Sequence, residues 1–163
     1  MSAPIHLENH ITIAAPPAAV YALAAPVERW PSFLPHYRWV TLVAQRGEYE
    51  RLVEMAARRT WIPVWWRSIQ RLYPEQFRIE FQHVAGATRG MTVEWRIEDD
   101  GRGGSLVSIR HDFRPPWPFV PLSLAELVVG RFFVSSIAGR TLREIKAFVE
   151  GRAAAPAALH APP

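Results

Sequence analysis

Tyr37, His83 and His111 are the side chains whose types and placement suit proton transfer inside an apolar enclosure. His83 closes the alternating run Phe77, Ile79, Phe81, while Arg78, Glu80 and Gln82 hold the opposite parity. His111 sits in Val107, Ile109, His111, Phe113, against Ser108, Arg110 and Asp112. Period-two alternation puts each parity on one face of a strand, so both imidazoles are predicted to face the interior. A buried imidazole costs free energy unless hydrogen-bonded, and with an ordinary pKa of about 6.5 it is well matched to acid–base work. Two readings stay open for each: a core histidine satisfied by a backbone carbonyl, or a proton handler on a cavity wall. Tyr37 follows an aromatic, proline-punctuated turn, Trp30-Pro31 and Phe33-Leu34-Pro35, where a phenol can stack on a planar ligand and exchange a proton. No third ligand and no carboxylate shares the face of the two histidines, so no metal site is expected, and proton transfer by such groups implies no cofactor.

These side chains need strands to hold them. Ile5 to Ile13 alternates Ile5, Leu7, Asn9, Ile11 and Ile13 against His6, Glu8, His10 and Thr12, the pattern of a half-buried strand. Pro16-Pro17 opens a helix from about Ala18 to Ala25, and Val27 to Phe33 reads as a second short helix limited by Pro31 and Pro35. Turn signals then separate six strands: Arg38 to Gln45, Glu50 to Arg59, Val64 to Leu72, Phe77 to His83, Met91 to Glu98 and Leu106 to Phe113. Short connections predict an antiparallel meander. Met91, Val93, Trp95 and Ile97 face inward on the fifth of these. From Arg131 to Gly151, Val134, Ile137, Ala138, Thr141, Leu142, Ile145, Phe148 and Val149 recur at helical spacing, and Gly151 is the expected stop. One domain over residues 1–151 and a disordered Ala/Pro-rich tail over 152–163 follow.

Composition narrows the function. With 49% hydrophobic and 12% aromatic residues the chain can build a sizeable core and line a cavity with rings. A net charge of +4, carried mostly by scattered arginines, is too small for a nucleic-acid footprint. Absence of Cys excludes disulfides and thiolate nucleophiles. His6, Glu8 and His10 stand where an export signal needs an apolar core, so a cytoplasmic protein is expected. Glu126 and Arg131 interrupt the apolar stretch Pro118 to Gly139, which argues against stable membrane insertion. A sheet edge and the crossover after Arg114 leave monomer and homodimer both open.

The α+β order of strand, two short helices, six antiparallel strands and one long C-terminal helix resembles the helix-grip superfamily. That superfamily includes the START lipid-transfer domains, coenzyme Q-binding START-like proteins, birch-pollen-allergen-like binders and the polyketide aromatase/cyclases. Val20-Tyr21, Trp30-Pro31, Tyr37, Trp66-Arg67-Ser68-Ile69-Gln70, Met91 with Trp95, His111-Asp112-Phe113 and Phe132-Phe133 to Lys146 carry the resemblance to the polyketide cyclase branch. It implies a seven-stranded curved sheet around the last helix, a small hydrophobic or polyketide ligand between them, and an acyl carrier protein among the partners. Hydrophobicity leaves Val64 to Leu72 undecided, since each parity carries a Trp. The resemblance, through a Trp-x-Ser-x-Arg pattern, turns Trp66 and Ser68 inward. Here Gln70 stands where that pattern has its pocket arginine, so either Gln70 is the donor or a bulge brings Arg71 inward. Arg59 shares the parity of Val53, Met55 and Ala57 and is a further source of charge. The implied proton handlers and carbonyl donors are Tyr37, His83, His111, Gln70 and Arg71. The implied ligand contacts are Trp30, Phe33, Arg59, Trp66, Ser68, Phe81, Met91, Trp95 and Phe113. The implied activity is aldol cyclisation and dehydration of a poly-β-ketone or polycyclic aromatic intermediate. The alternative is a noncatalytic carrier or chaperone of a quinone, lipid or steroid-like molecule, with Trp117, Phe119 and Val120 touching a membrane.

Overall fold

The computed structural model describes residues 4–59, 61–114 and 136–154, leaving the side chain of Arg59 undescribed. Phe132-Phe133, the crossover residues Trp117, Phe119 and Val120, the short helix expected over Leu122 to Val129 and residues 155–163 of the expected tail lie outside the described residues.

Seven strands form one antiparallel sheet: β1 (Ile5–Ile13), β2 (Tyr37–Gln45), β3 (Glu50–Arg59), β4 (Ile62–Tyr73), β5 (Arg78–Gly86), β6 (Thr92–Asp99) and β7 (Ser105–Phe113). Their order in the sheet is β1-β7-β6-β5-β4-β3-β2, a meander whose first strand closes against its last. Helix α1 (Pro17–Ala24) and a 3-10 helix (Val27–Ser32) follow β1, and helix α2 (Gly139–Ala154) ends the described chain. Pro17 suits the first turn of α1 because its missing N–H is one the helix leaves unpaired anyway. Leu142 and Ile145 of α2, and Ile137 and Ala138 just before it, are buried in the same core as the inward residues of the strands, so α2 lies across the concave face.

Register explains what faces inward. Met55 is opposite Trp66, Val53 opposite Ser68, Ile79 opposite Trp95 and Val93 opposite His111, and all eight side chains are buried. Val84 is an extra residue in β5: Arg67 pairs with Ala85, but Ser68 pairs with His83. The bulge thus belongs to β5, and β4 keeps its phase. Just beyond it Gly86 has φ +89°, and a Cβ there would stand 2.4 Å from the Trp65 carbonyl oxygen. Only glycine allows so close an approach.

Several boundaries differ from the sequence expectation. Pro63 lies inside β4, opposite Arg58. Phe77 is left-handed (φ 47°), so β5 begins at Arg78, and Phe77 packs half-buried on Tyr21 with ring centroids 5.8 Å apart. Gly151 does not stop the last helix, which runs to Ala154. Two alanines follow it, and the Arg152 guanidinium sits 5.2 Å from the Phe148 ring centroid one turn back, an i,i+4 contact that extends the helix.

Candidate functional site

A connected set of rings crosses the concave face. Trp95 lies 5.6 Å from Trp30, Trp30 5.0 Å from Tyr37 and Tyr37 6.3 Å from Trp66, and Trp66 stacks on His83 at 5.8 Å with planes 10° apart. Trp30 comes from the 3-10 helix, Tyr37 from the start of β2, Trp66 from β4, His83 from β5 and Trp95 from β6. These rings border a cavity of about 50 Å³. His111 from β7, Phe81 and Met91 complete the expected part of its wall, and Met55, Ile137 and Thr141 are among the residues added by the structure. The cavity volume is well below the roughly 300–1,000 Å³ of ligand sites. Among the described residues this face therefore holds no preformed ligand-sized hollow. Occupancy by a larger molecule requires some of these rings to move.

The two histidines are neutral. Burial, with a smaller contribution from neighbouring His111, lowers the His83 pKa to about 3. Burial lowers His111 to about 4, against a smaller upward pull from Asp112. His83 Nδ1 is 2.5 Å from the hydroxyl of Thr88, itself buried in the β5–β6 turn. His111 Nδ1 is buried without a hydrogen-bond partner, as are Ser68 Oγ and Trp30 Nε1. Burial pushes the Tyr37 phenol above its ordinary pKa, partly offset by the Thr141 hydroxyl. Tyr37 at rest is consequently protonated near neutrality and must give up its proton before it can accept one.

The arginine question is answered by a residue the sequence reading missed. Gln70 faces inward and is fully buried, but its Oε1 accepts from Arg51 Nε at 2.8 Å and its Nε2 donates to the Ala25 carbonyl at 2.9 Å. Arg51, its cross-strand partner on β3, also donates to the Ala25 carbonyl at 2.7 Å and approaches Glu28 at 3.3 Å. Gln70 and Arg51 therefore clamp the end of α1, and Gln70 does not border the cavity. Arg71 lies on the outer face, where its Nε meets Glu50 at 2.8 Å, so the bulge that would have turned it inward is absent from β4. The carbonyl-polarising roles expected of Gln70 and Arg71 are corrected accordingly. Phe33 stacks on Phe148 at 4.7 Å, and neither it nor Phe113 or Ser68 borders the cavity. Ser68 is nevertheless fully buried opposite His83.

His36 is the other unforeseen residue. It is 2% exposed, and its Nε2 lies 2.9 Å from Thr141 Oγ1, which is also 3.3 Å from the Tyr37 hydroxyl. Burial, reinforced by Arg140, lowers its pKa to about 4. Among the described residues no group of three or more His, Cys, Asp or Glu is arranged to hold a metal ion, and no helix is long and apolar enough to cross a membrane.

Residues 13–133 match the family model described as polyketide cyclase / dehydrase and lipid transport. Over 112 residues the chain is 32% identical to the granaticin polyketide synthase bifunctional cyclase/dehydratase of Streptomyces violaceoruber, covering 67% of this chain and 34% of that protein. The chain thus spans about a third of the length of that curated relative. Its fold is that of the Zhui aromatase/cyclase from Streptomyces sp. R1128, with a TM-score of 0.79, 21% identity, and coverage of 96% of this chain and 100% of that one. The di-domain aromatase/cyclase StfQ from the steffimycin biosynthetic pathway matches with a TM-score of 0.75 and 20% identity, over 92% of this chain and 52% of that one. These likenesses show the helix-grip fold.

Proposed function

We propose, for a chain that belongs to the polyketide cyclase / dehydrase and lipid transport family, that its ring-lined cavity, widened by movement of those rings, folds a poly-β-ketone and promotes aldol cyclisation with loss of water. The supporting observation is that one acid, Tyr37, and two neutral imidazoles, His83 and His111, border the same ring-lined space. His111, with Nδ1 unpartnered, takes a proton from a methylene flanked by carbonyls. The resulting enolate carbon attacks a second carbonyl carbon, and Tyr37 gives its proton to the alkoxide. In the dehydration the Tyr37 phenolate takes the second α proton while the His111 imidazolium protonates the departing hydroxyl. One carbon–carbon bond forms, one water leaves, and both side chains return to their starting state.

A neutral imidazole with so low a pKa is a weak base, so rate must come mainly from enforced chain shape. Positioning alone can contribute about 7 to 11 kcal/mol. His83, oriented by Thr88 and stacked on Trp66, holds a ligand oxygen in this scheme. Presentation of the substrate by an acyl carrier protein and action in the cytoplasm belong to the same proposal, and both monomer and homodimer accommodate it.

The test is turnover of a linear poly-β-ketone thioester, read by absorbance of the aromatic product. Tyr37→Phe and His111→Ala should each lower kcat by about 10²- to 10⁴-fold with ligand affinity retained. Loss of affinity at unchanged turnover would favour a carrier, and native mass spectrometry would then identify the co-purified molecule.

A further inference from the structure

Resting on the cyclase reading, we propose that Thr141 and His36 are positioning residues that hold Tyr37 as a proton donor at the cavity. A hydroxyl has one hydrogen to give and two lone pairs to offer. Thr141 Oγ1 is 2.8 Å from the Ile137 carbonyl, which can only accept, so the single hydrogen of Thr141 is committed there. Its oxygen is left as an acceptor, and two groups reach it: His36 Nε2 at 2.9 Å and the Tyr37 hydroxyl at 3.3 Å. Both must therefore donate. The count closes with every position of the threonine hydroxyl in use.

Two consequences follow from that count. His36 carries its proton on Nε2, which leaves its buried, unpartnered Nδ1 without a hydrogen. Tyr37 has its phenolic hydrogen directed at Thr141, on the cavity wall that both residues share. Of the two bonds the one from Tyr37 is the longer and weaker. A ligand oxygen entering the cavity competes for the phenolic proton first, while His36 keeps Thr141 in place. After the proton has passed to the substrate alkoxide, the Tyr37 phenolate lies within reach of the Thr141 hydroxyl, which can turn from Ile137 to donate to it. Backbone contacts fix the geometry from the strand side, since the Arg58 N–H donates to the His36 carbonyl at 2.7 Å.

The experiment uses Thr141→Val, which removes the hydroxyl at nearly constant shape, and Thr141→Ser, which keeps it. With the same poly-β-ketone thioester, Thr141→Val should lose about 10- to 100-fold in kcat at nearly unchanged KM, in line with the cost of small misplacements, and Thr141→Ser should recover most of it. Wild-type kcat in Thr141→Val beside an inactive Tyr37→Phe would overturn this inference alone. Full activity in Tyr37→Phe would overturn the cyclase reading beneath it. A readout independent of turnover and of any variant is the ¹⁵N spectrum of the histidines. His36 should show a protonated Nε2 and an unprotonated Nδ1, and the reverse tautomer would overturn the inference whatever the kinetics.

Discussion

Lowering the pH from 7 to 5 should remove roughly 6 kcal/mol of folding free energy, through three imidazoles. His36, His83 and His111 have pKa values lowered to about 4, about 3 and about 4. In the unfolded chain each titrates at about 6.5. Between these values the unfolded state binds protons that the native state excludes. The stabilisation is thus complete above about pH 6.5 and is lost as pH falls toward the folded values. Each group has a slope of about 1.4 kcal/mol per pH unit, or about 2 kcal/mol at pH 5, some 1.5 units below its unfolded pKa. Three together approach the whole stability of a typical domain, about 5–15 kcal/mol. Hydrogen bonds from the Arg102 and Gly104 backbone lower the Asp100 pKa and Lys146 lowers that of Glu150, so their losses fall at more acid pH. Urea unfolding at pH 7, 6 and 5 reads the effect as a falling midpoint. His83→Asn should remove about a third of the slope. A midpoint constant from pH 7 to 5, at constant m-value, would refute the reasoning by showing that these rings are hydrated or protonated in the native state.

Other substitutions test separate contacts. Gly86→Ala should cost about 3 kcal/mol or more, seen as a large drop in melting temperature, because its φ is positive and the added carbon meets the Trp65 carbonyl. Ser68→Ala should be neutral or stabilising by up to about 1 kcal/mol in chemical denaturation, since the buried hydroxyl has no partner to lose. A penalty above about 2 kcal/mol would mean that the hydroxyl is hydrogen-bonded after all. Arg51→Met should cost about 2 to 3 kcal/mol by leaving Gln70 Oε1 unpaired and the Ala25 carbonyl with one donor fewer, with faster amide exchange across Val27–Ser32.

What could be read from residue order was the phase of β5, β6 and β7, because a sheet with one buried face writes its orientation into every second residue. The same rule failed on β4, where Trp65 and Trp66 occupy opposite faces and polar residues fall on both; only the likeness to known proteins chose the inward set. Arg51 shares the parity of Val53, Met55 and Ala57 that drew attention to Arg59, so its inward direction was available from the pattern. Its partner, the Ala25 carbonyl, was not, because capping of α1 by a strand 26 residues away leaves no local trace. His36 and Thr88 lie in turns, where neither period applies. Cavity size depends on how five rings share one volume, which residue order does not encode.

The pairing of β1 with β7 has a consequence for how the chain acquires its shape. Strands β2 to β7 are joined as successive hairpins, and each can zip onto its predecessor as it leaves the ribosome. β1 is made before all of them, yet its partner is the last to appear: Ile5 must find Phe113, and Ile13 must find Ser105. Closing so long a loop is entropically slow, and until it happens the inner edge of β7 stays open to other strands. Slow refolding, and loss of yield when synthesis outruns this final closure, are built into the topology.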